Sequence, residues 1–160
     1  MDRKLRKYQN LLVNAGSGVI LFAVWSVAKV NLYLGISGFF LEEVYKFAEE
    51  IGIGKKFFAG FLFAIVAGVL IWQLSTRLYI GINAVKEGKG TPRSWVYLVV
   101  AALLLITDVQ AFFGMIKPGT YDGTLTAFGG LCVEAASVYV LVELLISGIQ
   151  VKLLRKKKKA

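Results

Sequence analysis

The stretch "WVYLVVAALLLITDVQAFFGMI", residues 95–116, decides the class of fold, and Asp108 is its only charged residue. A helix of about 20 apolar residues crosses the roughly 30 Å hydrocarbon layer of a membrane. Three other stretches have the same character, so the sequence predicts an all-α, polytopic membrane protein built as a four-transmembrane-helix bundle. The four predicted spans are Leu11 to Leu34, Phe57 to Ile82, Trp95 to Ile116 and Thr124 to Ile149.

The overall composition agrees with this class of fold. Hydrophobic residues make up 57% of the 160 residues, and the mean hydropathy is +0.66, both above what a soluble domain of this length carries. The basic start followed by an apolar run resembles a signal peptide, with small residues at 26–28. Because the apolar run continues past that point, we expect an uncleaved first span and one membrane domain over residues 1–160.

The basic residues indicate the orientation in the membrane rather than nucleic-acid binding. The formal net charge is +9, but the lysines and arginines concentrate before span one, between spans two and three, and after span four. Cytoplasmic loops carry such an excess, so we predict both termini in the cytoplasm and the protein in the plasma (inner) membrane. The terminal "RKKKK" would attract anionic lipid headgroups of the bilayer.

Few enzyme classes fit the residue inventory. The chain has no histidine, and its one cysteine, Cys132, falls inside span four, so the sequence predicts no metal site, no cofactor and no internal disulfide. The sequence therefore indicates a protein that is not an enzyme. An intramembrane enzyme that uses carboxylates alone is the one catalytic class left open.

Two short matches suggest an internal repeat. "AKVNLYLG" at 28–35 resembles "TDVQAFFG" at 107–114, and "GINAVK" at 81–86 resembles "GIQVK" at 148–152. We therefore predict two helical hairpins, residues 1–88 and 89–160, related by a pseudo-twofold axis normal to the membrane. The alternative is chance similarity between membrane helices of similar composition.

The first outer loop has an amphipathic pattern. Apolar residues recur at helical spacing while acidic residues and a lysine occupy the opposite face, which predicts a short helix over about residues 37–51 on the membrane surface or across the bundle mouth. Ser37 would cap its start, and Gly52 would end it. The apolar positions are Phe40, Val44, Phe47, Ala48 and Ile51.

Five ionisable residues fall within the predicted spans: Lys29, Arg77, Asp108, Glu134 and Glu143. Each costs roughly 2.5–3.5 kcal/mol at the centre of an isolated membrane helix, so each should seek a partner. From their distances to the span ends, we expect Arg77 to pair with Glu143 and Lys29 to pair with Asp108. The alternative for Lys29 is that its ammonium extends to the outer surface.

This pairing scheme leaves one carboxylate over, and the sequence favours Glu134. On its helix, Glu134 shares a face with Gly130 and Ser137, a small and polar strip. Glu134, Asp108 and Ser137 are therefore candidates for handling a proton, a cation or a small solute in a transporter or channel. The structural alternative is a protonated Glu134 that donates a hydrogen bond to Ser137 or to a carbonyl group.

Small residues predict where helices approach closely. Gly60, Ala64 and Gly68 recur every four residues in span two, and Gly130 lies in span four. We expect packing within the bundle there, or an interface in a homo-oligomer. The second hypothesis for function follows: a non-catalytic accessory or assembly subunit that docks a larger membrane complex.

Overall fold

The computed structural model describes residues 3–36, 44–49, 52, 54–116 and 125–159, with the side chains of 29–36, 55, 125–127 and 159 outside the description. Its four long helices are α1 (Arg3–Ile36), α2 (Lys55–Gly88), α3 (Val96–Ile116) and α4 (Leu125–Lys159). No β-strand occurs among the described residues. The all-α prediction is confirmed.

All four helices are long and apolar enough to cross a membrane. The qualifying segments are Arg3–Ala28, Lys56–Gly88, Val96–Ile116 and Phe128–Lys158. The prediction of four helices with the length and apolar composition of membrane spans is therefore confirmed, which indicates an integral membrane protein. Both α2 and α4 run further than their predicted spans, because charged residues lower hydropathy without interrupting a helical backbone.

One compact unit contains Met1–Phe22 and Arg77–Ala160. Its hydrophobic core joins the start of α1, the end of α2, and helices α3 and α4 through fully buried side chains. Glycines allow close helix approach in this unit. A Cβ on Gly81 would lie 2.5 Å from Ile20 Cγ1 and 2.7 Å from the Gly16 carbonyl oxygen, and one on Gly148 would lie 2.6 Å from Leu98 Cδ2.

The second compact unit is Ala23–Thr76. Residues 44–49 are helical, with Val44 and Ala48 buried, and the Phe47 ring lies 5.7 Å from the Phe58 ring. Gly52 has a positive φ of 70°, and its N–H donates to the Glu49 carbonyl, which ends the helical turn as the sequence predicts. The rest of the predicted amphipathic helix, residues 37–43 and 50–51, lies outside the described residues.

The predicted packing residues do not make the close contacts. Gly60, Ala64 and Gly68 are exposed, and a Cβ added at Gly60, Gly68 or Gly130 would meet no described atom within 4 Å. No described contact supports packing by this strip inside one chain, so that packing and an interface between chains both stay predictions. Small-residue spacing marks where helices can approach, and Gly16 with Gly81 provides the contact instead.

Candidate functional site

A buried charged triad joins three helices in the first unit. α2 provides Arg77, α3 provides Asp108 and α4 provides Ser137. Their exposed fractions are 4%, 4% and 3%, so all three polar residues are buried inside the protein. Such groups are stable inside a membrane helix bundle only when they satisfy one another.

The hydrogen bonds close a triangle. Arg77 Nη2 donates to both Asp108 carboxylate oxygens at 2.8 Å, and Arg77 Nη1 donates to Ser137 Oγ at 2.9 Å. Ser137 Oγ in turn donates to Asp108 Oδ2 at 2.9 Å. The guanidinium and carboxylate charges cancel, while Arg77 Nε is buried with no described hydrogen-bond acceptor.

The antiparallel arrangement of α2 and α3 explains why these residues meet. Arg77 precedes Gly88, the end of α2, by 11 residues, and Asp108 follows Val96, the start of α3, by 12 residues. At about 1.5 Å per residue, both side chains lie roughly 17–18 Å from the connecting loop. Ser137 approaches from α4 and completes the site.

The predicted partner of Arg77 was wrong. Arg77 pairs with Asp108 rather than with Glu143, and no described cation pairs with the half-buried Glu143 carboxylate. The Glu143 backbone carbonyl accepts a hydrogen bond from Ser147 Oγ at 2.6 Å. Arg77 instead lies level with Ser137, six residues before Glu143 on α4, and Arg77 and Asp108 are nearly equidistant from the loop that joins their helices.

The other predicted site residues are only partly described. The side chain of Lys29 lies outside the described residues, so its pairing stays a prediction, although Arg77 and Ser137 already occupy both oxygens of Asp108. Glu134 is half-buried, one helical turn before Ser137, and is not without a partner. The structure therefore does not support Glu134 as the unmatched carboxylate.

A second buried charge cluster was missed by the sequence analysis. Glu87 is 1% exposed, and its carboxylate accepts from the Tyr97 hydroxyl at 2.7 Å and pairs with Lys152 Nζ at 3.1 Å. Arg155 Nη2 donates to the Glu87 backbone carbonyl at 2.8 Å. This cluster ties the end of α2 to α3 and to the last part of α4.

Glu87 was missed because the predicted span ends at Ile82, which leaves Glu87 in the segment between spans two and three. One signal in the sequence was available. Glu87 lies seven residues after Ile80 and three after Ala84, which is helical spacing, and both of these residues are fully buried. A helix continued through Gly88 would have placed Glu87 on the buried face.

These observations define an integral membrane protein with four apolar helices and two buried charge clusters. No known protein family matches the chain, and neither a curated protein nor a solved structure shows detectable similarity to it. Among the described residues, no group of three or more cysteine, aspartate and glutamate side chains is placed to hold a metal ion.

Proposed function

We propose that this protein is a small transporter or channel, or a subunit of one, in which Asp108 handles the transported ion. The observation that carries the proposal is the buried Arg77–Asp108–Ser137 triad, which joins three helices through one titratable carboxylate. Ionisable groups inside membrane segments mark ion pathways and proton relays in many membrane proteins. Protonation of Asp108 would break its ion pair and release Arg77.

A proton suits this site better than a metal cation or a larger solute. Arg77 Nη2 lies 2.8 Å from Asp108 Oδ2, so a metal cation would have to approach against a fixed positive charge. A proton needs no coordination shell and can pass along hydrogen bonds between hydroxyl and carboxyl groups. Ser137 both accepts and donates in the triad, and Glu134 stands one turn away on α4.

We also propose an orientation of the protein in the membrane and an assembly of several copies. Both termini lie in the cytoplasm, at the plasma (inner) membrane, because the basic segments all fall on that side. The four helices derive from two duplicated hairpins; in support, the equivalent glycines Gly81 and Gly148 each contact the preceding helix of their hairpin. Four helices alone enclose a transport pathway poorly, so we propose that a homo-oligomer completes the wall of the pathway.

Proton flux into proteoliposomes tests the function directly. A potassium gradient with valinomycin would drive protons, and a pH-sensitive dye inside the vesicles would report them. We expect Asp108→Asn to lower the flux per folded protein, with the folded fraction in the vesicles measured by circular dichroism, at least about tenfold, because the carboxyl proton is lost. Thr107→Ala is the matched control: Thr107 is the exposed neighbour on the same helix and bonds only to its own backbone turn at Leu104.

Two results would refute the transport proposal. One is a wild-type protein that moves no protons above the rate of protein-free vesicles. The other is an Asp108→Asn variant whose flux equals that of Thr107→Ala. Either outcome would mean that the triad only stabilises the contact between α2, α3 and α4.

A specific observation also favours the second candidate function, an accessory or assembly subunit. No residue is buried in the most apolar window of the α2 segment Lys56–Gly88. Large side chains project from this helix on several sides, including Phe61, Phe63 and Ile71. A partner helix of a larger membrane complex would cover part of this surface, and lipid would cover the remainder.

Co-purification in mild detergent tests the assembly function. A partner should be recovered at fixed stoichiometry, and Gly68→Leu, which adds bulk on the small-residue strip, should release it. Val69→Leu is the matched control because it adds bulk at the adjacent exposed position. Recovery of the wild-type protein as a free monomer would contradict this function.

A further inference from the structure

The charged end of the first unit contains a cleft of about 580 Å³ between the α2–α3 loop and the last turns of α4. Cationic side chains dominate its lining, and the one carboxylate there belongs to Glu87. The cations are Arg93, Lys152, Arg155, Lys156 and Lys158. A concave surface with such an excess of positive charge attracts anions more strongly than the same charges on a flat surface.

The single carboxylate does not satisfy these cations. Glu87 is occupied by Tyr97 at 2.7 Å and Lys152 at 3.1 Å, while Arg155 Nη1 remains 3.6 Å away, beyond hydrogen-bond length. Arg155 Nη1 and Arg93 Nε are both buried and have no described hydrogen-bond acceptor. Buried guanidinium donors of this kind are expected to have partners, and an anion with several oxygen atoms can supply them.

The position of the cleft identifies the source of the anion. The cleft lies where α2 ends at Gly88 and α3 begins at Val96, which is where two spanning segments leave the apolar layer. Trp95, half exposed, lines the cleft, and its ring lies 5.2 Å from Lys152 Nζ. Tryptophan at such a position is typical of the headgroup level of a membrane.

We propose that this cleft binds the phosphate of an anionic phospholipid headgroup, with Arg93 and Arg155 as the principal phosphate ligands. Lys156 and Lys158, which also line the cleft, add attraction for the negative charge of the phosphate. Leu153 and Pro92 give the cleft an apolar side against which the glycerol end of the lipid can pack. This inference does not depend on transport, because it concerns a different cluster from the triad.

Quenching of Trp95 fluorescence by brominated lipid tests the site on the full-length chain. Trp25→Phe and Trp72→Phe leave Trp95 as the only tryptophan, and both replaced side chains are exposed. Brominated phosphatidylglycerol is then titrated into phosphatidylcholine bilayers at physiological salt. Half-saturation should occur at a low mole fraction of phosphatidylglycerol, whereas brominated phosphatidylcholine should quench in proportion to its amount without saturating.

Arg93→Gln provides the test of the proposed ligands, and Lys157→Gln is its matched control. Lys157 is exposed on the same basic segment but does not line the cleft, so its loss measures non-specific attraction. Arg93→Gln should raise the half-saturating mole fraction at least about fivefold more than the control does, because a charge-assisted hydrogen bond is lost. If Arg93→Gln does not fold, Lys158→Gln, an exposed lining residue, should also exceed the control.

The outcomes separate the proposal from its alternatives. Equal shifts in the site variant and in Lys157→Gln would show diffuse surface attraction and overturn the site. A cleft that serves soluble phosphate would also overturn the lipid assignment. Inorganic phosphate, added at constant ionic strength, would then displace the brominated lipid as effectively as unlabelled phosphatidylglycerol does; we expect no displacement by inorganic phosphate.

Discussion

Replacing Asp108 with asparagine should destabilise the protein severely, although the two side chains have almost the same shape. Asp108 accepts hydrogen bonds from Arg77 through both carboxylate oxygens and a further one from Ser137. An asparagine keeps one oxygen acceptor but removes the negative charge. The Arg77 guanidinium, only 4% exposed, would then be left as a buried charge without a counter-ion.

The expected cost follows from this geometry. Removing one member of a buried ion pair typically costs about 3–5 kcal/mol, because the remaining charge stays desolvated. Arg77 Nε already has no described acceptor, so the remaining guanidinium has little local compensation. We therefore expect Asp108→Asn to lower the free energy of unfolding by about 3–5 kcal/mol.

A double variant shows whether the charge is the cause. Arg77→Met combined with Asp108→Val removes both charges and replaces them with the apolar side chains nearest to them in size. Its free energy of unfolding should lie within about 1 kcal/mol of wild type, because exchanging a buried pair for apolar residues is often neutral. The coupling energy between the two positions would then be large and favourable.

Unfolding in sodium dodecyl sulfate, followed by far-UV circular dichroism in mixed micelles, measures these differences. The exposed Thr107→Ala substitution provides the reference for a change at the neighbouring position. A loss below about 1 kcal/mol for Asp108→Asn would contradict a desolvated ion pair. A double variant as unstable as the single one would show that shape, and not charge, holds the three helices together.

Two further substitutions test the remaining contacts by the same unfolding assay. Gly81→Ala should cost about 1–3 kcal/mol, since its Cβ would lie 2.5 Å from Ile20 Cγ1, whereas Gly68→Ala, with no described atom within 4 Å, should be neutral. Glu87→Gln should cost about 2–4 kcal/mol, because it leaves buried cations with a neutral partner, and the exposed Lys89→Gln should change little. Equal effects in either pair would contradict the assigned contacts.

The class of fold could be predicted from the sequence because a membrane-spanning helix must have a certain length and an apolar composition. Residues 95–116 have both. Which residues form the candidate site could be partly predicted for the same reason. Asp108, Arg77 and Ser137 stand out as polar groups inside apolar helices, and all three were selected from the sequence. Their mutual contact was not, because pairing depends on which helices are neighbours and how they are rotated.

The errors have a common physical origin. Depth counted from a span end is wrong when the helix runs past that end, and direction around a helix is set by packing. Arg77 meets Ser137, which lies six residues, or about 9 Å, before Glu143 along α4. The packing glycines show the same limit, since Gly60 and Gly81 have a similar composition around them, but among the described atoms only Gly81 has another helix within 4 Å of an added Cβ. Glu87 was missed because hydropathy records where apolar residues stop, not where a helix stops.

The lengths of α3 and α4 have a mechanical consequence. α3 has 21 residues and extends roughly 31 Å, close to the thickness of the hydrocarbon layer, whereas α4 has 35 residues and extends roughly 52 Å without a break. The basic tail and Ser137 thus belong to one continuous rod. Because no break in the helix separates them, a displacement of the tail also displaces the hydroxyl that bonds to Arg77 and Asp108.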